Sequence, residues 1–547
     1  MKNEAMTQNL ADMDLLYPSW KPQTLWECFD SCSSRFADSE FVVFDDDSFS
    51  YEVVRRDAIR YAKALQALGV HPGDHVAVMM YNSPSYVSLI FAISAAGAVK
   101  VPLNPSLGSS ELHNILLQAG VDWLFCQKIP PISDDVKQYI RRIIIVGEYD
   151  GTDERICSVD QFLQCAGQSC AFTSAAQDPF SLCDILYTSG STGVPKGVMI
   201  THDMLLRNSY GTARARCFNV GHRLFLPLPL FHVMAYSEGL LACMLMGGTA
   251  IFSSRPFDAH YMLQHLKKNR AEDIACMPIT MQKLLSVEGV SDHDWPQLQS
   301  GYWTNCPEWI WKEAKRKFGI KYLTNAYGMS ECGASITMVR PDDPEGTAFH
   351  SNGKIKPGGA ISIPGLNDQA MELRIADFET GEPVPAGTAG EIQFRGPATT
   401  PGYYNAPALT RSAFTEDGWF KSEDIGILDQ DGYLRFCGRN SDIYKLNGEN
   451  VSPQFLDQVI ADCPGVRAVE CVGVSNDRCG AVGVAFVDMW DPDDADEAKL
   501  RDYCRSRLAS YQIPKYIFFS DSSSWPRTSS NKILKSGLRE LAQKLIK

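Results

Sequence analysis

The stretch DILYTSGSTGVPKGVMITH, from Asp184 to His202, directs the interpretation of the whole chain. Its apolar start, DILYT, predicts a strand, and the glycines, hydroxyl residues and lysine that follow predict a phosphate-binding loop. Glycines let backbone N–H groups converge on an anion, and a lysine adds positive charge. A Walker loop has GxxxxGK before Ser or Thr, but here Pro195 precedes Lys196 and Gly197 follows it. The continuation PKG disfavours the alternative, a flexible Gly/Ser surface loop.

The composition of the chain is that of a soluble globular enzyme. The 547 residues are 45% hydrophobic and 21% charged, and the net charge of −14 excludes a general binder of nucleic acid or membrane surfaces. The 17 cysteines form no CxxC pair, so the pattern predicts neither a disulfide framework nor a zinc site. The acidic N-terminus does not resemble a signal peptide. We therefore expect a cytoplasmic protein with no integral membrane association.

The order of apolar segments predicts an α/β fold. Apolar residues from Val54 to Leu68 recur at helical spacing before Gly69, DHVAVMM follows as a strand, and Val87–Ala98 is the next predicted helix. The apolar run RRIIIVG, residues 141–147, predicts a strand covered on both faces. Two longer apolar stretches, residues 86–99 and 239–252, are below the ~20 residues of a membrane span, and we expect both to be buried helices.

Changes in the pattern of predicted helices, strands and turns along the chain predict its domains. Doubly wound sheets are expected in a large N-terminal domain, residues 1–437, with a β-barrel-like part over about 348–437 where short strands and Gly/Pro turns begin. A hinge at 438–441 precedes a small, mobile α+β domain, residues 442–547.

Six collinear motifs resemble those of the adenylate-forming enzymes, which include acyl-CoA synthetases, peptide-synthetase adenylation domains and luciferase. The glycine loop is the first of them, and together the motifs cover nearly the whole chain. The other five are NAYGMSE at 325–331, GEIQFRGP at 390–397, DGWFKSEDIG at 417–426, GRNSDIYKLNGENVSP at 438–453 and PRTSSNKILK at 526–535.

The resemblance implies a site for ATP and Mg²⁺. Tyr327 and Asn325 would hold adenine, Glu331 would bind Mg²⁺, and Asp424 with Arg439 would bind the ribose hydroxyls. Without the resemblance, Tyr327 would be read as a core residue, and Asp424 or Arg439 as a surface ion-pair partner. The residues implied to bind ATP or AMP are Thr188, Ser189, Gly190, Ser191, Thr192, Gly193, Lys196, Asn325, Tyr327, Gly328, Ser330, Asp424 and Arg439.

The C-terminal motifs imply a lid with two working faces. Lys532 would bridge the substrate carboxylate and the α-phosphate during adenylation, where a fixed ammonium stabilises the charge that develops. A solvated surface lysine is the alternative. Ser441 stands at the hinge, where the family usually has Asp or Lys, and Asn531 replaces the usual glycine before the lysine. The face for thioesterification would contain Lys445, Gly448 and Glu449.

The acyl pocket is the part of the resemblance that bears on the substrate. His232 would gate the pantetheine route, with a core histidine as the alternative. The strip WTNCP at 303–307 replaces the family's small SGGAP and is most similar to the carnitine/crotonobetaine–CoA ligase branch. An aromatic wall of Trp303 and Tyr236, with charge from Glu238, would suit a quaternary ammonium; alternatively, the larger side chains only shorten the cavity for a small aliphatic acid. The implied pocket residues are Met234, Tyr236, Trp303, Thr304, Asn305 and Cys306.

The reaction implied is that of an AMP-forming acid–CoA ligase. Lys532, His232 and Glu331 would be its catalytic residues, with Glu331 the metal ligand. The expected acid is small or of short to medium chain length, with carnitine- or betaine-like acids included. The alternative is a stand-alone adenylation enzyme that passes the acyl group to a carrier protein. Expected partners are the carboxylic acid and coenzyme A, with no nucleic acid; a homodimer is compatible with the sequence.

Overall fold

The structure is a computed structural model of the chain. It describes residues 2–18, 20–165, 172–188, 195–255, 258–289, 295, 297–304, 306–356, 371–447, 449–476, 479–527 and 533–546.

Helices are distributed along the chain between the strands. The α-helices are α1 Lys2–Leu16, α2 Leu25–Arg35, α3 Tyr51–Ala67, α4 Pro84–Ala95, α5 Ser109–Ala119, α6 Asp134–Lys137, α7 Val159–Gln164, α8 His202–Ala215, α9 Ala242–Leu245, α10 Ala259–Lys268, α11 Pro278–Leu285, α12 Glu308–Phe318, α13 Thr347–His350, α14 Pro407–Ala413, α15 Pro453–Ala461, α16 Glu497–Arg505 and α17 Lys535–Ile546. A π-helix, Met234–Leu241, leads directly into α9. Short 3₁₀ helices are Ser330–Cys332, Asn440–Asp442, Pro492–Asp494 and Ser522–Ser524.

The strands are short and numerous. They are β1 Glu40–Phe44, β2 Asp47–Ser50, β3 His75–Met79, β4 Val99–Pro102, β5 Trp123–Cys126, β6 Arg142–Ile145, β7 Ile156–Ser158, β8 Leu182–Thr188, β9 Lys196–Thr201, β10 Arg223–Phe225, β11 Thr249–Phe252, β12 Asp273–Ala275, β13 Ser300–Tyr302, β14 Tyr322–Thr324, β15 Ala326–Tyr327, β16 Thr337–Met338, β17 Lys354–Ile355, β18 Glu372–Ala376, β19 Ala389–Arg395, β20 Phe420–Leu428, β21 Leu434–Arg439, β22 Tyr444–Leu446, β23 Glu449–Val451, β24 Val466–Asn476, β25 Gly480–Met489 and β26 Tyr516–Phe519.

The chain divides into two compact units. Unit 1 comprises residues 1–304, 313–373 and 394–420, and unit 2 comprises residues 305–312, 374–393 and 421–547. The predicted hinge at 438–441 falls within unit 2, and its role in motion stays a prediction.

Unit 1 contains two seven-stranded sheets. Their orders are β7-β6-β5-β3-β4-β8-β9 and β14-β13-β12-β10-β11-β1-β2. Each sheet is parallel except for one antiparallel pair at an edge, β8 with β9 and β1 with β2. Strand β3 shows why its sheet must be covered on both faces: Val76 and Val78 join one core cluster, and Ala77 and Met79 join another. This confirms the expected doubly wound α/β fold.

Local sequence accounts for the helices that were predicted from periodicity. The Ser50 side chain caps α3 by accepting a hydrogen bond from the N–H of Val53, and Gly69, with φ +84°, lets the chain leave the helix. α4 begins with Ser83 as its cap and Pro84 in its first turn. The observed ends of both helices differ from the predicted ends by about three residues or fewer.

One predicted helix is wrong in its second half. The apolar stretch 239–252 is helical only to Leu245, and Thr249–Phe252 is the parallel strand β11 between β10 and β1. Gly247 separates the two parts with φ +61°. A continuous apolar run fits a buried helix or a buried strand equally well, so periodicity does not separate them. In the described part of the chain, no helix combines the length and apolar character needed to cross a membrane.

Unit 2 is an α+β unit built on an antiparallel sheet. The order is β23-β22-β25-β24, and β26 joins β25 in parallel. Along β25, Val484 and Phe486 enter one core cluster while Ala485 and Val487 enter the other, so both faces are covered. A separate four-stranded sheet, β18-β19-β20-β21, lies in the β-rich part that was predicted before the hinge.

Candidate active site

The predicted phosphate loop connects two paired strands. Strands β8 and β9 are antiparallel, and Thr188 lies directly opposite Lys196 where the hairpin leads into the loop. A Cβ atom on Gly197 would lie 2.9 Å from a side-chain carbon of Ile185 and 3.0 Å from the Tyr187 ring, so the first strand packs where only glycine fits. The loop residues Ser189, Gly190, Ser191, Thr192 and Gly193 lie outside the described residues.

Tyr403 connects Lys196 with Glu331. The Lys196 ammonium lies 5.6 Å from the centre of the Tyr403 ring, and the Tyr403 hydroxyl donates to Glu331 Oε1 over 2.9 Å. The backbone N–H of Thr400 donates to the carbonyl of Glu331 over 2.8 Å, which fixes the same residue from its backbone side. The structure therefore brings together a lysine and a buried carboxylate that are 135 positions apart in the sequence.

Sequence reasoning missed Tyr403. Its backbone pairs with Val198 of β9, so the segment that carries it runs alongside the predicted phosphate hairpin. The available signal was the run PGYYN at 401–405, which follows the motif ending at Pro397 and whose Pro-Gly pair predicts a turn. The tyrosine's hydroxyl and ring make it a ligand-positioning candidate between Lys196 and Glu331.

The turn that carries Glu331 is closely packed. Ser330–Cys332 form a 3₁₀ helix that ends at Gly333 with φ +73°. A Cβ on Gly328 would lie 2.1 Å from the Ala334 carbonyl oxygen and 2.2 Å from Ser335 Cα, far below any tolerated contact. Glycine at 328 is therefore a packing requirement of this turn.

Asn325 and Tyr327 are both buried beside that turn. Tyr327 belongs to β15, which pairs with β16. The Asn325 amide donates to the carbonyls of Ala348 and Ser351 at 2.9 and 3.2 Å, and its oxygen accepts from the N–H of Ala326. Asn325 therefore already has protein partners, and its contact with adenine stays a prediction.

In unit 2, Asp424 and Arg439 lie side by side on β20 and β21. Arg439 Nε is 3.5 Å from Asp424 Oδ1; the carboxylate is buried and the guanidinium exposed. The Ser422 hydroxyl accepts from the Asp424 N–H at 3.0 Å and donates to the Ile392 carbonyl at 2.6 Å. Glu423 adopts φ +60°, the left-handed conformation that favours glycine.

The predicted acyl-pocket residues do not share one environment. His232 is half-buried, stacks at a tilt on Phe231 and precedes the π-helix, which begins with Met234. The Tyr236 ring is fully buried, and the Lys100 ammonium lies 4.1 Å from its centre. Lys100 in turn forms a buried ion pair with Asp184 at 2.9 Å.

The strip after β13 is only partly described. The Trp303 indole is buried and folds over Gly301, where a Cβ would come within 2.1 Å of the ring. Thr304 and Cys306 are half-buried, and Asn305 lies outside the described residues.

The predicted lid residues in unit 2 are mostly exposed. Lys445 and Glu449 project from the hairpin of β22 and β23, and Ser441 is exposed in the 3₁₀ helix Asn440–Asp442. A charged contact exists one residue beyond Ser441, because Arg539 pairs with Asp442 at 2.8 Å. Gly448 and Lys532 lie outside the described residues.

The donor set fits a magnesium ion bound together with phosphates. Mg²⁺ is usually held by one or two carboxylates plus substrate phosphates and water, and Glu331 offers a carboxylate whose Oε1 is oriented by Tyr403. Within the described residues, no group of three or more His, Cys, Asp or Glu side chains could hold a metal alone. Glu331 is thus the residue that would hold the ion once ATP supplies the remaining oxygens.

Comparison with protein-family models identifies the family. The model of the AMP-binding enzyme matches residues 29–404, and that of the AMP-binding enzyme C-terminal domain matches residues 456–532. The chain belongs to the AMP-binding enzyme family. The resemblance to adenylate-forming enzymes inferred from the six motifs is confirmed.

Individual relatives are similar over nearly their whole length. A feruloyl-CoA synthase of Amycolatopsis sp is 31% identical over 498 residues, covering 90% of this chain and 94% of that protein. A Mycobacterium tuberculosis 3-[(3aS,4S,7aS)-7a-methyl-1,5-dioxo-octahydro-1H-inden-4-yl]propanoyl:CoA ligase is 31% identical and covers 95% of this chain and 99% of that protein. The ATP-bound structure of MatB from Rhodopseudomonas palustris superimposes with a TM-score of 0.82 at 25% identity, over 96% of this chain and all of that chain.

Proposed function

We propose that this member of the AMP-binding enzyme family activates a carboxylic acid with Mg²⁺ and ATP and transfers the acyl group to coenzyme A. The chain is an AMP-forming acid–CoA ligase. The observation that carries the proposal is the cluster of Lys196, Tyr403 and Glu331 beside the β8–β9 hairpin, because it brings a cation together with a carboxylate of the kind that Mg²⁺ prefers. Full-length similarity to CoA ligases with different acids supports it.

The first half-reaction joins the acid to AMP. A carboxylate oxygen attacks the α-phosphorus of ATP, the bond to the β-phosphate oxygen breaks, and pyrophosphate leaves. Lys196 binds phosphate oxygens, and Glu331 would hold Mg²⁺, which would supply positive charge against the triphosphate. Lys532 stabilises the negative charge that develops on the α-phosphate. Asp424 and Arg439, adjacent in unit 2, bind the ribose hydroxyls.

The second half-reaction transfers the acyl group. The sulfur of coenzyme A, as a thiolate, attacks the acyl carbon, and AMP leaves with the electrons of the carbon–oxygen bond. Lys445, Gly448 and Glu449 serve this step, and His232 gates the route of the pantetheine arm. The reactions consume one ATP and yield the thioester, AMP and pyrophosphate.

The acid is a small or short- to medium-chain acid, and a cationic acid is the less favoured member of this range. The Tyr236 ring already faces the Lys100 ammonium, and Glu238 is already paired with Lys356 at 3.2 Å. Two of the three side chains that would have recognised a quaternary ammonium, Tyr236 and Glu238, therefore have protein cations as partners. Trp303 remains an apolar wall that shortens the cavity.

A panel of carboxylic acids tests the proposal directly. Pyrophosphate release and thioester formation are measured separately for straight-chain acids of increasing length, aromatic acids and trimethylammonium acids. We expect at least one uncharged short- or medium-chain acid to give both products. Pyrophosphate release without thioester, and acyl transfer to a phosphopantetheine-bearing carrier protein, would instead support the carrier-loading alternative. Absence of acid-dependent pyrophosphate release across the panel would refute the proposal.

Substituting the lid lysines separates the half-reactions. Lys532→Ala is expected to lower adenylate formation by about 10²–10³-fold, by analogy with the loss of one oxyanion donor, and to spare thioester formation from supplied acyl-AMP. Lys445→Ala serves as the matched variant and is expected to slow mainly thioester formation, so that acyl-AMP accumulates. Equal losses in both half-reactions for either variant would contradict the assignment of two faces.

A further inference from the structure

A buried ion pair in unit 1 joins two elements beside the site. Glu238 lies on the π-helix Met234–Leu241, Lys356 follows β17, and Lys356 Nζ is 3.2 Å from Glu238 Oε1. Both side chains are only 1% exposed. Burying two charges is costly unless they are paired and their remaining hydrogen-bonding groups are satisfied. The position of this pair therefore requires an explanation.

The pair is saturated by neighbouring protein groups. Lys356 Nζ also donates to Asn208 Oδ1 at 2.7 Å, the Asn208 carbonyl at 3.3 Å and Thr212 Oγ1 at 2.9 Å. Glu238 accepts hydrogen bonds from the hydroxyls of Tyr302, Ser335 and Thr212. Burial lowers the pKa of Lys356, and the negative charge of Glu238 opposes that shift. The Lys356 ammonium and the Glu238 carboxylate are thus both bound by groups of the protein itself.

Asn208 links the Glu238–Lys356 pair by hydrogen bonds to the turn that carries Glu331. Its Nδ2 donates to the carbonyls of Cys332 and Ser335, each at 2.9 Å. These two carbonyls follow Glu331 by one and four residues. The Lys356 ammonium, donating to Asn208 Oδ1, fixes the orientation of the amide: a reversed amide would point its NH₂ at the ammonium and its oxygen at two carbonyls.

The space beside the network does not accommodate a substrate. A cavity lined by Asn208, Ser335 and Lys356 on its polar side, and by Met371 and Ala398 among its apolar residues, has room for about one water molecule. A cavity of this size is too small for an acyl chain. The contacts of the network therefore favour a role at the turn that carries Glu331 over a role in substrate binding.

We propose that Glu238 and Lys356 are positioning residues that, through Asn208, hold the turn of Glu331 in the geometry that binds Mg²⁺ and ATP. The inference rests on the proposed function only for the role of Glu331. Partners that orient a metal-binding side chain commonly change metal affinity by about 10–100-fold when they are removed. The π-helix fits this role, because such helices occur frequently at functional sites.

The test replaces the pair without leaving a buried charge. Glu238→Leu with Lys356→Met removes both charges together, which is commonly tolerated in protein cores, whereas either single change leaves one charge unpaired. The matched control is Arg207→Met with Asp203→Leu, because that pair is equally buried in unit 1 and separated by 2.5 Å. Equilibrium binding of ATP is measured as a function of Mg²⁺, without acid or coenzyme A, together with the thermal midpoint of each variant.

We expect the Glu238/Lys356 double variant to bind Mg²⁺–ATP about tenfold or more weakly than the wild-type protein, and the control to bind normally. Asn208→Ala provides a second route should the double variant not fold, and it is expected to weaken binding to a similar extent. Asn269→Ala, which removes another side-chain bond to a helix carbonyl, is its control. Unchanged Mg²⁺–ATP binding in Asn208→Ala or in the folded double variant would overturn the proposal.

A change in acyl-chain preference with unchanged Mg²⁺–ATP binding would also overturn it, because the pair would then belong to the wall of the acyl cavity. The result is separable from the proposed function. A wild-type protein that binds Mg²⁺–ATP but ligates no acid refutes the proposed function and leaves this inference standing. A wild-type protein that does not bind Mg²⁺–ATP refutes both.

Discussion

Replacing Lys100 by methionine should destabilise the strand that leads into the phosphate loop. Lys100 on β4 and Asp184 on β8 are separated by 2.9 Å with almost no exposed surface, and the Tyr236 ring covers the ammonium at 4.1 Å. The substitution leaves the Asp184 carboxylate buried without its cation. Breaking a buried pair in this way typically costs about 3–5 kcal/mol, a large fraction of the ~5–15 kcal/mol that stabilises a domain.

The cost should depend on pH with a defined sign. Burial raises the pKa of Asp184, Lys100 opposes this shift, and loss of Lys100 raises the pKa further. A carboxyl whose folded pKa exceeds its unfolded value destabilises the fold above the folded pKa, and this penalty disappears as the pH falls. The destabilisation should therefore be greatest at pH 8 and should decrease by up to about 1.4 kcal/mol per pH unit once Asp184 takes up a proton.

Hydrogen exchange of β4 and β8, corrected for intrinsic exchange rates, measures the effect locally, because a protein of two units has no single two-state unfolding free energy. Protection should fall by about 10²–10⁴-fold in Lys100→Met at pH 8 and less at pH 5.5. The double variant Lys100→Met with Asp184→Ala should recover most of it, because it adds only the removal of the unpaired carboxylate to the single variant. Equal losses in the single and double variants, or a pH-independent loss, would refute the treatment of this contact as a compensated buried pair.

Three further predictions concern other parts of the chain. Gly328→Ala should abolish Mg²⁺–ATP binding, since the new Cβ would lie 2.1 Å from a carbonyl oxygen, while Gly108→Ala, with open space around it, should bind normally in the same titration. Glu423→Gly should raise the thermal midpoint of unit 2, because glycine relieves a left-handed conformation that costs about 1–2 kcal/mol, and Glu423→Ala should not; equal midpoints would count against strain at φ +60°. Burial raises the pKa of Asp457 to about 6 and that of Glu470 to about 8, so unit 2 should lose stability as the pH rises from 5 to 9. Glu470→Gln should flatten the dependence of the thermal midpoint on pH, and a pH profile identical to that of the wild-type protein would contradict the raised pKa of Glu470. Because about a fifth of the Glu470 side chain is exposed, we expect solvent screening to keep the effect modest.

Local patterns account for the parts of the fold that were predicted correctly. Helix α3 has a serine cap, an apolar stripe and a terminal glycine, all within a span of 20 residues, and the strand DILYT is confirmed as β8. The motifs likewise marked the two continuous segments in which β8 and Glu331 lie, although the antiparallel strand β9 and the 3₁₀ turn of Glu331 were not predicted. Such features depend on neighbours in sequence, which is the information that periodicity and spacing contain.

The features that the sequence did not indicate are contacts between distant segments. Tyr403 reaches Glu331 across 72 positions, and Lys356 reaches Asn208 across 148. The turn run PGYYN is the one local signal for Tyr403, and Lys356 has no local signature that distinguishes it from an ordinary surface lysine. The Gly239–Phe252 stretch was predicted as one helix because apolar runs of strand and helix look alike until the sheet order is known.

Two of the buried ion pairs of unit 1 are better explained by positioning than by stability. A buried pair gains little over a well-packed apolar substitute, because desolvation offsets most of the attraction. Yet Lys100–Asp184 joins β4 to the strand that enters the phosphate loop, and Lys356–Glu238 acts through Asn208 on the turn of Glu331. Apolar packing would hold these elements together without fixing one register or one amide orientation, whereas a charge pair with directional partners specifies both. If this reasoning is correct, apolar replacement of either pair preserves stability while it weakens ATP binding.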